Sequence, residues 1–329
     1  MLDFVIRPLL RLLAPCAAAL SLCASPAAIA EEAAAPPSPR ERVSATPALW
    51  RVSDNDSVVW LFGSFHILPP QLSWRTPELA AAFSRSETVY FELPIGPETD
   101  AEVGRLSMTL GFAPRDRAAG VVLNGRDWAR LVEAAARYNI PESAVQPMRP
   151  WFVSVLLSLQ AIVAEGFDPE SGVEKVIAAE AVAADKTLAA FETPAQQLGF
   201  FDQLDPQTER NLLISTLDDL EEGPAAFAAL FNAWADGDAA AINREINGRL
   251  RGDIPRLYEV LITERNTAWA EELEEVLAGA GETLVVVGAG HLVGADGVPT
   301  MLESRGFTVR SSAGSSWWAA AILRATCGP

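Results

Sequence analysis

The sequence WLFGSFHILPP, residues 60–70, decides the fold together with its counterpart VVVGAGHLVGADG at residues 285–297. Each stretch contains an apolar run and a Gly-x-x-His tetrapeptide, and the two tetrapeptides carry the only histidines of the sequence, His66 and His291. The apolar runs lack the alternation that marks a half-exposed strand. They therefore predict strands that are covered on both faces, as in the middle of an α/β sheet.

Both histidines are predicted to lie at one edge of this sheet. Glycine directly after a strand lets the backbone turn tightly and approach a ligand, which assigns Gly63 and Gly288 to a binding site. Ligands of open α/β sheets bind beyond the carboxyl ends of the strands. If the two strands are central and parallel, His66 and His291 meet at that edge and share one site.

The residues around the first tetrapeptide predict a β-hairpin and then a βαβ unit. In the hairpin, two apolar strands flank the turn-forming cluster SDNDS, residues 53–57. Thr76 and Pro77 are placed as the N-cap and the first residue of a short helix. The next strand, TVYFELPIG at residues 88–96, is predicted to pair in parallel with the strand that precedes the helix.

Apolar residues recur at three- and four-residue spacing over most of residues 100–280, which predicts a large helical insertion. One strand candidate, KTLAAFET at residues 186–193, interrupts it. The chain returns to strand in ETLVVVGAG, residues 282–290, and closes with a helix and the strand FTVRS, residues 307–311. The predicted fold class is therefore α/β (α+β), with a central mixed, largely parallel sheet and a helical insertion between the two Gly-x-x-His strands.

The two ends of the chain are predicted to lie outside this domain. Residues 1–30 have basic residues beside a short apolar stretch and end in the small-x-small pattern of a signal peptidase site, which indicates a secretory signal peptide. Residues 31–47 are rich in Ala, Pro and charge and predict a flexible lead-in. A single domain then covers residues 48–312, and an apolar tail covers residues 313–329.

These segments predict a periplasmic or secreted protein without a stable membrane span after signal cleavage. The apolar stretch is shorter than the ~20 residues of a comfortable span. A lipoprotein ranks second, because the residues before Cys16 and Cys23 fit lipid attachment poorly. Of the three cysteines only Cys327 lies outside the signal segment, so no internal disulfide is expected and the fold depends on its core.

The charge of the chain limits its partners. The formal net charge is −18 at neutral pH. A surface this acidic repels nucleic acid and anionic lipid headgroups, so we expect no nucleic-acid partner. Nothing in the residue pattern specifies an oligomeric state.

Glu92 ends the strand that follows the first helix, so its side chain is predicted to join the two histidines at the sheet edge. Two neutral imidazoles and one carboxylate form a familiar catalytic metal set that leaves a position for water. A bound metal would polarise a carbonyl and lower the pKa of that water. The plainer alternatives stay open: each histidine could be a hydrogen-bonded structural residue, Glu92 a cap partner, and Arg265 one half of a surface ion pair.

The sequence resembles the TraB/PrgY/GumN family, most of all its exported bacterial GumN branch. The resemblance runs from about Leu49 to Val309 and rests, in order, on LWRV…VVWLFGSFHILPP, VYFEL, RPWFVSVLL, ERNTAW and VVVGAGHLVGADGVPTMLESRGFTV. The stretch GVEKVIAAEAVAADKTLAAFETPAQQLGFFDQL adds a Glu-Thr-x-x-x-Gln element at residues 192–197. It also has Glu174 where relatives are expected to have Asp.

The resemblance implies a related chemistry. The shared polar positions of the family correspond to His66, Glu92, Arg265 and His291, which adds Arg265 as a candidate anion or oxyanion binder. The animal members called Tiki are membrane-tethered proteases that depend on a divalent metal such as manganese or cobalt. The family therefore implies a metal-dependent hydrolase, most of all a peptidase, in which His66, Glu92 and His291 bind manganese, cobalt or zinc.

Two other functions stay open. The distantly similar erythromycin esterases are thought to work without metal, which implies a hydrolase with His66 as general base and Glu92 as its orienting partner. PrgY-like members are thought to reduce the activity of a peptide pheromone. A periplasmic protein that binds a peptide or small molecule without turning it over is therefore the third hypothesis.

Overall fold

The sheet at the centre of the fold has six strands. In the computed structural model, residues 42–112 and 114–312 are described. The strands are β1 (Leu49–Ser53), β2 (Ser57–Ser64), β3 (Thr88–Phe91), β4 (Thr187–Ala190), β5 (Gly281–Gly288) and β6 (Thr308–Ser311). Their order across the sheet is β4-β3-β5-β2-β1-β6, and with the many helices this mixed sheet confirms the predicted α/β fold class.

Helices occupy most of the remaining described chain. The α-helices are α1 (Pro77–Arg85), α2 (Pro97–Leu110), α3 (Ala119–Val122), α4 (Gly125–Arg137), α5 (Glu142–Val145), α6 (Pro150–Ala164), α7 (Val173–Ala183), α8 (Pro194–Asp202), α9 (Pro206–Glu222), α10 (Pro224–Ala235), α11 (Ala239–Ile242), α12 (Arg249–Asp253), α13 (Pro255–Tyr258), α14 (Glu264–Leu277) and α15 (Val298–Ser304). π-Helical stretches lie at Asn243–Gly248 and Glu259–Thr263, and 3₁₀ turns lie at Arg115–Arg117, Pro169–Ser171 and Ala289–Leu292. Within the described residues, no helix is long and apolar enough to cross a membrane.

The strands that carry the two tetrapeptides, β2 and β5, are neighbours in the middle of the sheet. They pair in parallel over their whole length, and Ser64 lies opposite Gly288. The Gly-x-x-His tetrapeptides are thus offset by a single position, with Gly63 opposite Val287. Because parallel strands end at the same edge of a sheet, the segments that follow β2 and β5, each with its histidine, leave the sheet next to each other.

The order of the strands corrects one expectation. The predicted hairpin is confirmed, because β1 pairs antiparallel with β2. The predicted pairing of β2 with β3 is wrong, since β5 lies between them and pairs in parallel with both. β5 matches β2 in length at 8 residues, whereas β3 has only 4. The two long apolar strands therefore pair along their whole length, and β3 pairs with the other edge of β5.

Burial explains why β2 and β5 are central. Residues 59–62 and 284–287 are buried on both faces of the sheet, with exposures of 2% or less. β4, in contrast, is largely half-exposed and lies at the edge of the sheet. An uninterrupted apolar run is stable only where both faces are covered, which is why such a run predicts a central strand.

Between β3 and β5 the described chain is mostly helical. The strand candidate of residues 186–193 is the exception and forms β4, which pairs in parallel with β3. A buried ion-pair cluster ties helices of this part together. The fully buried Arg149 donates to Glu209 in α9 and to Asp202 at the end of α8.

Some predicted segments at the chain ends fall outside the described residues. These are the signal peptide at residues 1–30, the lead-in up to residue 41 and the tail at residues 313–329. The last residues of the lead-in contact the domain. The backbone N–H of Ala45 donates to Ser73 O at 2.8 Å, and that of Thr46 donates to Ala235 O at 2.7 Å.

Gly63 lets the two tetrapeptides approach each other closely. A Cβ on Gly63 would lie 3.1 Å from both Cα and Cβ of Ala289. We expect Gly63→Ala to lower the free energy of unfolding by about 1–3 kcal/mol, because the backbone of the second tetrapeptide must move. Urea unfolding of the wild type and the variant measures this change.

Gly125→Ala is the matched control for this substitution. Gly125 is the first residue of α4, and a Cβ there meets nothing within 4 Å. The control should not lower the stability. A Gly63→Ala variant as stable as Gly125→Ala would contradict the close approach of the two segments.

Candidate active site

Glu92 directly follows β3, and its carboxylate is buried at the sheet edge. Oε1 accepts a hydrogen bond from the backbone N–H of Gly288 at 2.8 Å, which ties the end of β3 to the end of β5. Oε2 accepts from Arg265 Nη2 at 2.8 Å and from Gln197 Nε2 at 3.1 Å. Burial raises the pKa of this carboxyl, but the surrounding positive charges, Arg265 among them, together outweigh burial and hold the pKa of Glu92 well below its ordinary value. Glu92 is therefore an anion at neutral pH.

Arg265 is the cation at the centre of the site. It lies in the first turn of α14, and its side chain is 1% exposed. Nε donates to Glu192 Oε1 at 2.6 Å, and Nη2 is shared between Glu92 Oε2 at 2.8 Å and Glu192 Oε2 at 2.9 Å. The indole ring of Trp269 stacks against the guanidinium, 4.6 Å from Cζ. Two carboxylates therefore share one buried guanidinium.

The Glu-Thr-x-x-x-Gln element brings Glu192 to this cluster. The backbone N–H of Glu192 donates to Glu92 O at 3.0 Å, which continues the pairing of β3 and β4 past their ends. Thr193 then caps α8 in a capping box with Gln196. The helix places Gln197 so that Nε2 donates to both Glu92 Oε2 and Glu192 Oε2 at 3.1 Å. The element is thus a strand end, a helix cap and a bridge between two carboxylates.

His291 is held in one tautomer. The amide Nδ2 of Asn266 donates to the carbonyl oxygens of His291 at 3.1 Å and Asp296 at 2.6 Å, so its Oδ1 faces the imidazole. His291 Nδ1 lies 2.6 Å from that oxygen and carries the hydrogen. Nε2 then presents its lone pair to Arg265 Nη1 at 3.0 Å. Burial, together with the charge of Arg265, lowers the pKa of His291 well below its ordinary value, so the ring is neutral.

His66 is anchored by a carboxylate instead. Its Nδ1 lies 2.5 Å from Oε1 of Glu174, which is buried in the first turn of α7. Ser64 Oγ donates to the same oxygen. Burial raises the pKa of Glu174, but the neighbouring groups, His66 first and Ser64 with it, together outweigh burial and lower the pKa. At 20% exposure, the side chain of His66 is more accessible than those of Glu92 and His291.

Both imidazole rings and Glu92 converge on Gly288. A Cβ on Gly288 would lie 3.6 Å from His66 Nε2, 3.6 Å from His291 Cδ2 and 3.1 Å from Glu92 Oε1. His291 Nε2 is in turn 3.9 Å from Glu92 Oε1. The structure therefore brings the four predicted site residues together, and a side chain in place of Gly288 would intrude between them.

Gly63, the other glycine that the sequence assigns to binding, lies beside this centre. Its neighbours are protein groups: Ala289 occupies the space that a Cβ on Gly63 would need, and the carbonyl oxygen of Gly63 accepts a hydrogen bond from Trp234 Nε1 at 2.8 Å. Gly63 thus serves the close packing of the two tetrapeptides.

The side chains at this site are of the types that bind a divalent metal, but they are not close enough together to coordinate one as they stand. Two imidazole Nε2 atoms and a carboxylate oxygen match the catalytic sets of transition metals. Both rings have Nδ1 bonded to a second residue, as metal-bound histidines do. Among the residues that the structure describes, no three His, Cys, Asp or Glu side chains are spaced to hold a metal ion as they stand. For His291 to bind one, Arg265 Nη1 must release Nε2.

The sequence profile of one protein family covers this site and the domain around it. The TraB/PrgY/gumN family matches residues 48–311, from the start of the hairpin to the end of β6. The protein belongs to the TraB/PrgY/gumN family. Membership confirms the resemblance drawn from the paired tetrapeptides. No curated protein matches the chain at a significant level.

Several residues that complete the site receive no role from the sequence: Glu174, Glu192, Gln197 and Asn266. A signal exists for all four, because they fall in stretches that mark the family. Glu174 also stands out through the Asp expected in relatives. Asn266 lies in ERNTAW, but its position gives no further signal, since an Asn beside an Arg on a helix is an ordinary surface pattern.

Removing the guanidinium should destabilise the protein strongly. In Arg265→Met, Glu92 and Glu192 stay buried without their counter-charge. We expect the free energy of unfolding to fall by about 3–5 kcal/mol. Chemical denaturation at neutral pH measures the loss.

Arg256→Met is the matched control for Arg265→Met. Arg256 is 53% exposed and pairs with Glu259 and Glu264 at the surface. Its substitution should cost less than about 1 kcal/mol. Equal losses in the two variants would contradict the central place of Arg265.

The neutral, buried His291 should make stability depend on pH near neutrality. Its pKa in the folded protein lies below that in the unfolded chain, so between the two values only the unfolded chain binds the proton. Stability is therefore full above about pH 6.5 and is lost as the pH falls further, by up to about 1.4 kcal/mol per pH unit. Urea unfolding of metal-free protein across this range measures the slope. His291→Gln should lose this part of the slope, and a variant with the wild-type slope would count against a neutral His291.

Proposed function

We propose that this protein is a periplasmic or secreted hydrolase whose active centre consists of His66, Glu92 and His291 around a divalent cation. The observation that carries the proposal is the convergence of both imidazole rings and Glu92 on Gly288. Membership in the TraB/PrgY/gumN family supports it, because the family resemblance implies metal-dependent relatives.

The anchored rings support this centre. Asn266 holds Nδ1 of His291 and Glu174 holds Nδ1 of His66, so each Nε2 atom is the one turned toward the site. Two carboxylates against one guanidinium also leave negative charge in excess, which favours a cation. Manganese, cobalt or zinc bound there would polarise a carbonyl and ease the deprotonation of a nucleophilic water.

The contacts of Arg265 favour an orienting role over direct contact with a substrate oxyanion. Its Nε, Nη1 and Nη2 all have partners within the protein, and 1% of its side chain is exposed. We therefore assign Arg265 to holding Glu92 and Glu192 in place.

The proposed substrate is a peptide or a small molecule with a hydrolysable carbonyl bond. The net charge of −18 disfavours nucleic acid. His66 is the most exposed of the three proposed ligands, which suggests that the substrate approaches from its side.

A metal-free hydrolase is the second candidate, and one contact favours it. Arg265 Nη1 already takes the lone pair of His291 Nε2 at 3.0 Å. In this version His66 would accept the proton of the attacking water through Nε2. Glu174 would orient His66, because it is Glu174 that contacts Nδ1 of His66.

Metal binding and hydrolysis test the proposal directly. We expect the metal-free protein to bind a single equivalent of Mn²⁺, Co²⁺ or Zn²⁺ in calorimetry and elemental analysis. His66→Ala and His291→Ala should lose this binding, because each removes a ligand. Metal-loaded protein should cleave members of a peptide mixture in mass spectrometry, and a chelator should stop the cleavage.

Glu92→Gln and Glu98→Gln provide a matched pair. Glu98 is exposed in the first turn of α2, so only Glu92→Gln should lose the metal. Cleavage that resists a chelator but requires His66 would contradict the metal centre and support the metal-free hydrolase. A peptide that is bound but unchanged would contradict a hydrolase and support a binding protein.

A further inference from the structure

The carboxylate of Glu174 accepts hydrogen bonds from residues at the edge of the sheet. It is 5% exposed in the first turn of α7, and its Oε1 receives both Ser64 Oγ and His66 Nδ1. The backbone holds α7 against the same edge, since the N–H of Val173 donates to Phe65 O at 3.3 Å. A carboxylate accepts hydrogen bonds only, so the hydrogen in the His66 contact belongs to Nδ1.

We propose that Glu174 is a positioning residue that fixes the tautomer and the orientation of His66. With Nδ1–H held by Glu174, Nε2 is the atom that faces Gly288 and the centre, 3.6 Å from a Cβ placed on that glycine. The inference rests on the proposed function, because it concerns how that centre is kept ready. Glu174 itself touches neither Glu92 nor His291 in any hydrogen bond of the described structure.

The two histidines have separate anchors. His291 uses the neutral amide of Asn266, which comes from α14, whereas His66 uses the carboxylate of Glu174, which comes from α7. A change at Glu174 should therefore alter His66 and leave His291 as it is. This independence provides an internal control within a single protein sample.

A purely structural role for Glu174 makes a different prediction. An acidic residue in the first turn of a helix is favoured by the helix dipole alone. If that were its purpose, replacing the carboxylate would change stability but leave the tautomer of His66 unaltered. The tautomer is thus the readout that separates the two roles.

The first experiment is ¹⁵N NMR of the imidazole rings in metal-free protein at alkaline pH. The chain has 2 histidines, so the spectrum holds only two ring systems. In the wild type we expect both rings as the Nδ1–H tautomer. In Glu174→Gln the amide can accept from Nδ1 or donate to it, so the Nε2–H form of His66 should appear while His291 stays unchanged.

The second experiment is Co²⁺ titration followed by the visible spectrum. Glu174→Gln should weaken Co²⁺ binding by about 10- to 100-fold, as the loss of an outer partner of a ligand typically does. Glu180→Gln is the matched control, because Glu180 lies on the same helix and pairs with Arg75 instead of a histidine. It should bind Co²⁺ like the wild type.

The outcomes separate this inference from the proposed function. A wild-type His66 in the Nε2–H form, or a Glu174→Gln variant with an unchanged His66 spectrum, would overturn the positioning role. Equal effects of Glu174→Gln and Glu180→Gln would also overturn it. If the wild type binds no Co²⁺ but shows the expected tautomers, the metal centre fails while the positioning role stands.

Discussion

The guanidinium of Arg265, shared by two buried carboxylates, is the interaction on which the site depends. Glu92 and Glu192 lie at the sheet edge with little access to water, and a buried carboxylate without a counter-charge is strongly disfavoured. A buried ion pair is in itself weak evidence for stability, since apolar side chains of the same volume often do as well. Its value here is that it fixes charged groups at defined positions beside His291.

The sheet supplies those positions. Parallel pairing of β2 and β5 with an offset of a single residue brings both tetrapeptides to one edge. The backbone N–H of Gly288 then donates a hydrogen bond to the Glu92 carboxylate, which links β5 and β3 beyond the end of β3. Helices α7 and α14 complete the arrangement by holding one histidine each through Glu174 and Asn266. Strands thus bring the histidines together, and helices decide which ring nitrogen faces inward.

The central part of the fold could be predicted from local pattern. Burial on both faces leaves an unbroken apolar run, and glycine after the run marks the strand end, so β2, β5 and their shared edge follow from short stretches. The position of β5 between β2 and β3 could not be predicted in this way. Strand order depends on how well distant strands match in length and burial, and a local pattern does not contain that information.

The same limit applies to the side chains of the site. His66, His291 and Glu92 stand at strand ends, so their meeting could be predicted from the topology. Arg265 lies among glutamates on a helix, a pattern that looks the same on a surface and in a core. Only the family resemblance singled it out, and only the three-dimensional arrangement pairs it with Glu192. The amide of Asn266 contacts His291 of the second tetrapeptide, so its role becomes visible only once the fold brings the two together.

The central claim is that His66 and His291 face one centre that binds a divalent cation. Paramagnetic Mn²⁺ added below stoichiometry to protein labelled with ¹⁵N-histidine tests it most directly, because the 2 imidazoles of the chain report separately. A shared centre predicts that the signals of both rings broaden together, and that Nε2 broadens more than Nδ1 in each ring. Broadening of one ring alone, or of neither, would contradict the shared metal centre.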